Sequence, residues 1–459
     1  MLPLSPAASS NDDTCCLRLF SHFLQVSDPV QQEAGINKYT SYKISTNVNL
    51  SFPNSSFFPF STVAVIRRYS DFVWLTTQLN SDYPGAIVPP IPEKQAVSRF
   101  GAEFVEDRRK GLELFLIRSA AHPELGTAEA LRCFLSADDL LFTLAKKNGN
   151  FNAGAADGGD LPPAQGAKKE SNPLAAGMKW FNETKAAVTG KDLVTSPNDA
   201  RFEEINLYVT TLEAQMKNVV THTATLVKKG KETANGLFEF GLAFTLLGQS
   251  EATSAQSAQL GASSTPDNLG PALTSMGHTA DTLSVLSNDL AEKEETNFED
   301  PLHDYIRIIG SVKTALSKRV EKRSAYSNAI ADFQSKQAAA QKAAATPGKE
   351  DKAAKAEAEM KAAQDAMSAA EQTFNQVSER LTREVERFKA EKAADMRKTV
   401  IDYINLQIEY NKKMESVWSK LIPQLENVNL GGGAAGSEQA GGGAKVRNNS
   451  EVYDGLVGV

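Results

Sequence analysis

The chain is poor in cysteine. Three occur in 459 residues, and two of them are adjacent, Cys15 and Cys16, so neither a disulfide framework nor a zinc spacing can be built. That scarcity implies a reducing, cytosolic compartment, in which the sequon at Asn54-Ser55-Ser56 has no meaning. Histidine is also scarce, with five, and none has metal-ligand spacing. A glycine-rich kinase loop and a nucleophile elbow are both missing. Gly190-Lys191-Asp192 lacks the upstream glycine and the Ser/Thr of a P-loop. We therefore expect no catalytic residue, no metal and no cofactor. No apolar run approaches the roughly 20 residues that span a bilayer. Met1 to Asn11 has no basic stretch leading into an apolar one, so no signal peptide is expected. Excess positive charge is absent too. The net charge of −7 argues against nucleic acid as a partner. It leaves room for an anionic membrane, because surface attraction depends on local clusters within a Debye length.

What is present divides the chain. Its length allows about two to four domains. Residues 1–13 read as a disordered N-terminus. From Thr14 to Arg68 the pattern predicts three strands: one beginning at Cys16-Leu17-Arg18-Leu19-Phe20, a second over Tyr39 to Thr46, and a third over Thr62 to Ile66. Asp28-Pro29 and Phe52-Pro53-Asn54 supply turn chemistry between them. A helix follows at once, with Ser70 as its expected N-cap. It carries Phe72, Leu75 and Leu79, and Tyr83-Pro84-Gly85 stops it. Val88 to Lys94 is an extended proline segment. A second helix holds Phe104, Arg108, Leu112, Phe115 and Leu116, and a short third covers Ala128 to Leu135. Strands first and helices after make an α+β domain. Arg67 and Arg68 with Tyr69 suit a phosphorylated sugar. Guanidinium forks grip phosphate through paired hydrogen bonds, and a ring face packs on the sugar.

Three motifs in order, Arg67-Arg68-Tyr69-Ser70-Asp71-Phe72, Pro89-Pro90-Ile91-Pro92-Glu93-Lys94 and Phe104-Val105-Glu106-Asp107-Arg108-Arg109, resemble a PX (phox-homology) domain over residues 14–140. The resemblance implies a pocket for phosphatidylinositol 3-phosphate. Arg68 would hold the 3-phosphate and Tyr69 would stack under the inositol ring. Lys94 would meet the 1-phosphate and Arg108 the 4- and 5-hydroxyls. The proline loop would face the membrane, with Ile91, Val97 and Phe100 dipping into it. The residues alone also allow a stiff connector or an SH3 ligand at Pro89-Pro90-Ile91-Pro92.

Residues 141–172 read as a flexible linker rich in Gly, Ala, Asn and Pro. Over 173–191, Leu174, Met178, Phe181 and Val188 share one helical face with Trp180 at its edge, and lysines lie nearby. This predicts an interfacial membrane helix, although Lys185 interrupts the stripe and a helix packed on a neighbouring domain is also open. Proline then nearly vanishes. Three long helices are expected, at about 199–262, 267–345 and 350–427, each far longer than a typical globular helix. The third has core positions at Phe374, Val377, Leu381, Val385, Phe388, Met396, Tyr403, Leu406, Tyr410, Met414, Val417 and Leu421, with Lys392 and Thr399 as polar breaks. Pro301 should kink the second, and Thr346-Pro347-Gly348-Lys349 should form a hairpin tip. Residues 429–459 read as a disordered Gly-rich tail.

Three long kinked antiparallel helices after such a domain resemble the BAR domain, at 199–428, of the sorting nexins, most closely the retromer-associated members. Little precedes residue 14 here, whereas many relatives carry an acidic extension. The resemblance implies a peripheral protein on the cytoplasmic face of early endosomes. It would be a homodimer or a heterodimer with another BAR sorting nexin, working with retromer core subunits on an anionic, curved membrane. Candidate membrane-facing cations are Lys318, Arg319, Lys322, Arg323, Lys336, Lys342, Lys349, Lys352 and Lys355. Interspersed glutamates also fit an ordinary solvated face. The alternative function is a scaffold or tether recruited to endosomes without remodelling them.

Overall fold

The protein's structure is a computed structural model that describes residues 24–34, 37–47, 62–93, 102–148, 196–258, 269–345 and 350–428. Residues alternating in polarity form β1 (Leu24–Ala34), β2 (Asn37–Asn47) and β3 (Thr62–Arg68). They pair antiparallel in the order β1-β2-β3. Leu24, Val26, Tyr42, Ile44 and Val65 are buried on one face, as a period of two requires. Asp28-Pro29 is not an inter-strand turn as expected. It lies inside β1, where the register shifts between Ser27 and Val30 and Asp28 takes φ +48°. Proline cannot donate to the ladder, so it sits at a bulge in the outer strand. The strand expected at Cys16 to Phe20 and the turn at Phe52-Pro53-Asn54 lie outside the described residues.

α1 (Tyr69–Asp82) starts directly after β3. Arg68, not Ser70, is its cap residue, and the Asp71 carboxylate accepts the Arg68 backbone N–H at 2.9 Å. That carboxylate also faces the positive end of the helix dipole. α2 (Ala102–Ala121), α3 (Glu129–Ser136) and α4 (Asp139–Asn148) complete the first domain. α4 extends helix into residues read from sequence as linker, because Phe142 and Ala145 bury themselves in the core. Phe72, Leu75 and Leu79 of α1, Leu112 and Phe115 of α2, and Phe134 of α3 fill that core against the sheet. The Phe72 and Phe134 rings meet edge-on at 4.9 Å, the arrangement their quadrupoles favour.

Beyond it run α5 (Asp199–Ala258), α6 (Leu269–Glu294), α7 (Asp300–Ala344) and α8 (Glu350–Glu426). A π-helical turn, Glu295–Glu299, joins α6 to α7 immediately before Pro301. Pro301 has no N–H to continue the ladder, and a π turn absorbs the break. The residues group into two compact units, Met1–Thr225 with Glu295–Tyr403 and Leu226–Glu294 with Ile404–Val459. In the first, the π turn and α7 run antiparallel to α8 through contacts of Lys336 with Glu359, Tyr326 with Phe374 and, from the π turn, Phe298 with Tyr403. Phe202, Ile205, Val209, Ile309, Leu381 and Val385 are among its buried residues. In the second, α5 and α6 approach so closely that a Cβ on Gly277 would lie 2.7 Å from the Gly241 carbonyl oxygen.

Candidate functional site

β3 ends in two arginines with different fates, since successive strand residues face opposite ways. Arg67 turns inward and is 1% exposed. Its Nε donates to the Phe134 carbonyl at 3.0 Å, one Nη reaches Asp139 Oδ1 at 3.1 Å, and the other donates to the Ala137 carbonyl. The Phe142 ring lies 4.1 Å from its guanidinium. Arg67 therefore ties the α3–α4 turn to the sheet and has no fork left for a ligand. Arg68 turns outward and is half exposed, with its guanidinium 5.8 Å from the centre of the Tyr39 ring. Asp71 Oδ1 is 3.7 Å away, but Lys146 holds the same oxygen at 2.6 Å. Arg68 thus keeps most of its donors for another anion.

Tyr69 opens α1, and its hydroxyl donates to the Pro92 carbonyl at 2.6 Å. That bond fixes the proline segment against the helix start. The Arg108 guanidinium lies 4.7 Å from the Tyr69 ring centre, and Phe104, one turn earlier on α2, covers it at 4.2 Å. Arg108 is 7% exposed, and its Nε has no hydrogen-bond partner among the described residues. Among the described residues it pairs with no carboxylate. A buried guanidinium without a counter-ion is costly. Two ring faces offset part of that cost by cation–π attraction, and an incoming acceptor would supply more. The Tyr42 hydroxyl is buried and also finds no hydrogen-bond partner among the described residues. Burial pushes the Tyr42 and Tyr69 phenols up, while Arg108 pulls both the other way. No well-aligned hydrogen bond joins Arg108 to Tyr42.

Of the four residues expected to hold the headgroup, the structure brings Tyr69 and Arg108 into contact and sets Arg68 at the adjoining strand end. Lys94, Val97 and Phe100 lie outside the described residues. Ile91, expected to dip into a membrane, is half-buried and packs in part against the domain core. Leu174, Met178, Trp180, Phe181 and Val188 also lie outside the described residues. Phe104, Tyr42 and Tyr39 were not anticipated at the site. The spacing of four between Phe104 and Arg108 was the available signal.

One expected membrane-facing cation is placed otherwise. Arg319 is 4% exposed, pairs with Asp199 at 2.8 Å and has the Phe202 ring 3.8 Å from its guanidinium. It follows Val312, Ala315 and Leu316 along the buried stripe of α7, and that periodicity marks it as interior. Arg323 meets the same Asp199 at 3.0 Å, and Lys318 and Lys322 both meet Glu321. Lys336 pairs with Glu359. Lys342, Lys352 and Lys355 are exposed, and Lys349 lies outside the described residues.

No helix among the described residues is long and apolar enough to cross a membrane. Residues 55–138 match the family described as PX domain, and residues 179–424 match the one described as Vps5 C terminal like. The chain is 30% identical to Sorting nexin 1 of Arabidopsis thaliana over 405 residues, 88% of this chain and 92% of that one. It is 26% identical to Sorting nexin-1 of Homo sapiens over 415 residues, 88% of this chain and 72% of the other. Among solved structures it resembles the cryo-EM structure of the SNX-BAR Mvp1 tetramer, with a TM-score of 0.60 and 16% identity over 87% of this chain and 99% of that one. At that identity the likeness concerns the fold.

Proposed function

We propose, from the premise that this chain belongs to the sorting nexins that join a PX domain to a Vps5-type BAR-like helical domain, that it reads phosphatidylinositol 3-phosphate on early endosomes and, as a dimer, tubulates the membrane for retrograde sorting with retromer. The family's two domains bring phosphoinositide binding, dimerisation and membrane contact, and neither is catalytic. The observation that carries the finer reading is Arg108, a buried cation that lies against two rings and pairs with no carboxylate among the described residues. In this reading Arg68 takes the 3-phosphate, the Tyr69 ring underlies the inositol, and Lys94 reaches the 1-phosphate. Arg108, held between the Tyr69 and Phe104 rings, suits the 4- and 5-hydroxyls.

A dimer is supported by apolar side chains left in water. Ile404, Ile408, Ile422 and Leu425 on α8, and Phe238, Leu242 and Leu246 on α5, are all more than 40% exposed. They recur at helical spacing, as a face awaiting a second chain does. Dimerisation joins two headgroup pockets to the exposed lysines Lys342, Lys352 and Lys355 on each chain. Each cation near an anionic leaflet contributes about 1 kcal/mol, and linked sites raise apparent affinity by roughly 10²–10⁴-fold. Val97, Phe100 and the 173–191 segment would add apolar insertion.

Liposome flotation with and without phosphatidylinositol 3-phosphate tests the pocket. Arg68→Ala should lose the lipid-dependent part, and unchanged flotation rejects the assignment. Electron microscopy tests remodelling, and vesicles that stay spherical at high coverage count against it.

A further inference from the structure

The proline segment that carries the Tyr69 hydroxyl's acceptor is gripped at its start by the long helix α8. Arg380 donates to the Pro84 carbonyl at 2.9 Å, and its guanidinium lies over the Tyr83 ring. Gly85 has φ +90°, and a Cβ there would sit 2.9 Å from the Val377 carbonyl oxygen, so the chain passes against the α8 backbone itself. Two residues on, the Ile87 N–H donates to Glu384 at 2.9 Å.

Glu384 is 5% exposed and is the hub of this seam. Beyond the Ile87 amide it meets His122 Nε2 at 2.9 Å and Arg387 at 2.7 Å. His122 Nδ1 accepts the N–H groups of Glu124 and Leu125, so the ring proton sits on Nε2 and points at Glu384. The Ile87 side chain belongs to the core of the helical domain, whereas Val88 belongs to the core of the PX domain. From Val88 to Pro92 the chain is in neither helix nor strand and contains three prolines, which fix φ and resist bending. Its far end is equally confined. The Pro92 carbonyl accepts the Tyr69 hydroxyl, and the Pro92 ring lies where a Cβ on Gly111 would come within 2.6 Å.

We infer that Glu384, on the helical domain, is a positioning residue for the phosphoinositide pocket of the PX domain. It sets where the stiff proline segment begins, and hence where Pro92 holds Tyr69 against Arg108. The inference rests on the pocket reading above. Its consequence is that the two domains do not act as independent modules: headgroup affinity depends on a helix that, among the described residues, makes no hydrogen bond, ion pair or ring contact with Arg68, Tyr69 or Arg108. Small displacements at a supporting residue weaken a site built for close geometry.

The experiment measures binding of soluble inositol 1,3-bisphosphate to the full chain by calorimetry, so no membrane contributes. Glu384→Ala should weaken binding by roughly 3- to 30-fold, the usual span of coupling between distant residues. Glu384→Gln should recover most of it, because an amide oxygen still accepts the Ile87 N–H. Arg380→Ala, less buried, should shift affinity in the same direction and decides the matter if Glu384→Ala does not fold. Arg319→Ala, destabilising elsewhere, should leave headgroup affinity alone. Wild-type affinity in folded Glu384→Ala and Arg380→Ala overturns the inference while the pocket stands. Equal binding by Arg68→Ala removes the pocket itself, and this inference with it.

Discussion

Replacing Arg319 by alanine separates a structural cation from a membrane-facing one. The guanidinium is 4% exposed, bonds Ser378 and Asp199, and lies against the Phe202 and Phe374 rings. Breaking a buried pair from one side costs about 3–5 kcal/mol. Arg323 still reaches Asp199 at 3.0 Å, so the lower end, about 3 kcal/mol, applies. For a domain of roughly 150–250 residues that lowers Tm by about 6–12 °C. Thermal melts followed by circular dichroism measure the loss, and flotation of the folded variant at low temperature should match wild type. Raising salt should not erase the difference, because a buried pair is poorly screened. The same site has a pH signature. Burial pushes the Asp199 carboxyl up, but the Arg319 hydrogen bond, the Ser196 backbone N–H and the Arg323 charge leave it below its usual value. A depressed carboxyl stabilises above its unfolded pKa, and that contribution fades as pH falls through the folded one. Arg319→Ala should therefore flatten the acid limb of the stability curve. If the variant melts with wild type yet floats poorly, Arg319 is a lipid contact and the packing argument is wrong.

Three further outcomes follow from the same contacts. Arg67→Ala should destabilise the PX domain by about 3 kcal/mol, because it strips charged hydrogen bonds from the Phe134 and Ala137 carbonyls, whereas Arg68→Ala should melt as wild type; equal melting of the two contradicts this in a scanning calorimeter. Burial raises the Glu294 carboxyl, with the Gln407 hydrogen bond opposing, so its stabilising protonated form is lost as pH rises from the unfolded value through the folded one. Glu294→Gln should then raise Tm at pH 7 and lose the advantage near pH 4. Gly277→Ala should cost about 1–3 kcal/mol by overpacking, since its Cβ would meet the Gly241 carbonyl and Thr245. Gly236→Ala, with nothing within 4 Å, should gain up to about 1 kcal/mol from helix propensity; chemical denaturation distinguishes the pair.

The long helices were legible because their signal is periodic and local. Every core position expected from Phe374 to Leu421 is buried or half-buried on α8. The polar breaks keep to the same stripe: Lys392 donates to the Tyr208 hydroxyl at 2.9 Å, and Thr399 is buried. The PX motifs were legible as residue types at a spacing. What could not be read was which neighbour each polar group would find. Asp28-Pro29 looks the same in a turn and in a bulge until a partner strand sets the register. Arg319 continues the buried stripe of α7, but its partner is unknown until α5 supplies Asp199.

Taken alone, the sequence determined that strands come first and helices after, that a PX domain precedes long helices, and where Pro301 interrupts them, because these depend on spacing along one chain. Tertiary structure decided which arginine of the Arg67-Arg68 pair is spent internally, that Phe104 completes the stack on Arg108, and that Glu384 joins the helical domain to the proline segment. Those outcomes depend on side chains separated by tens to hundreds of residues, and only folding brings them within hydrogen-bond reach.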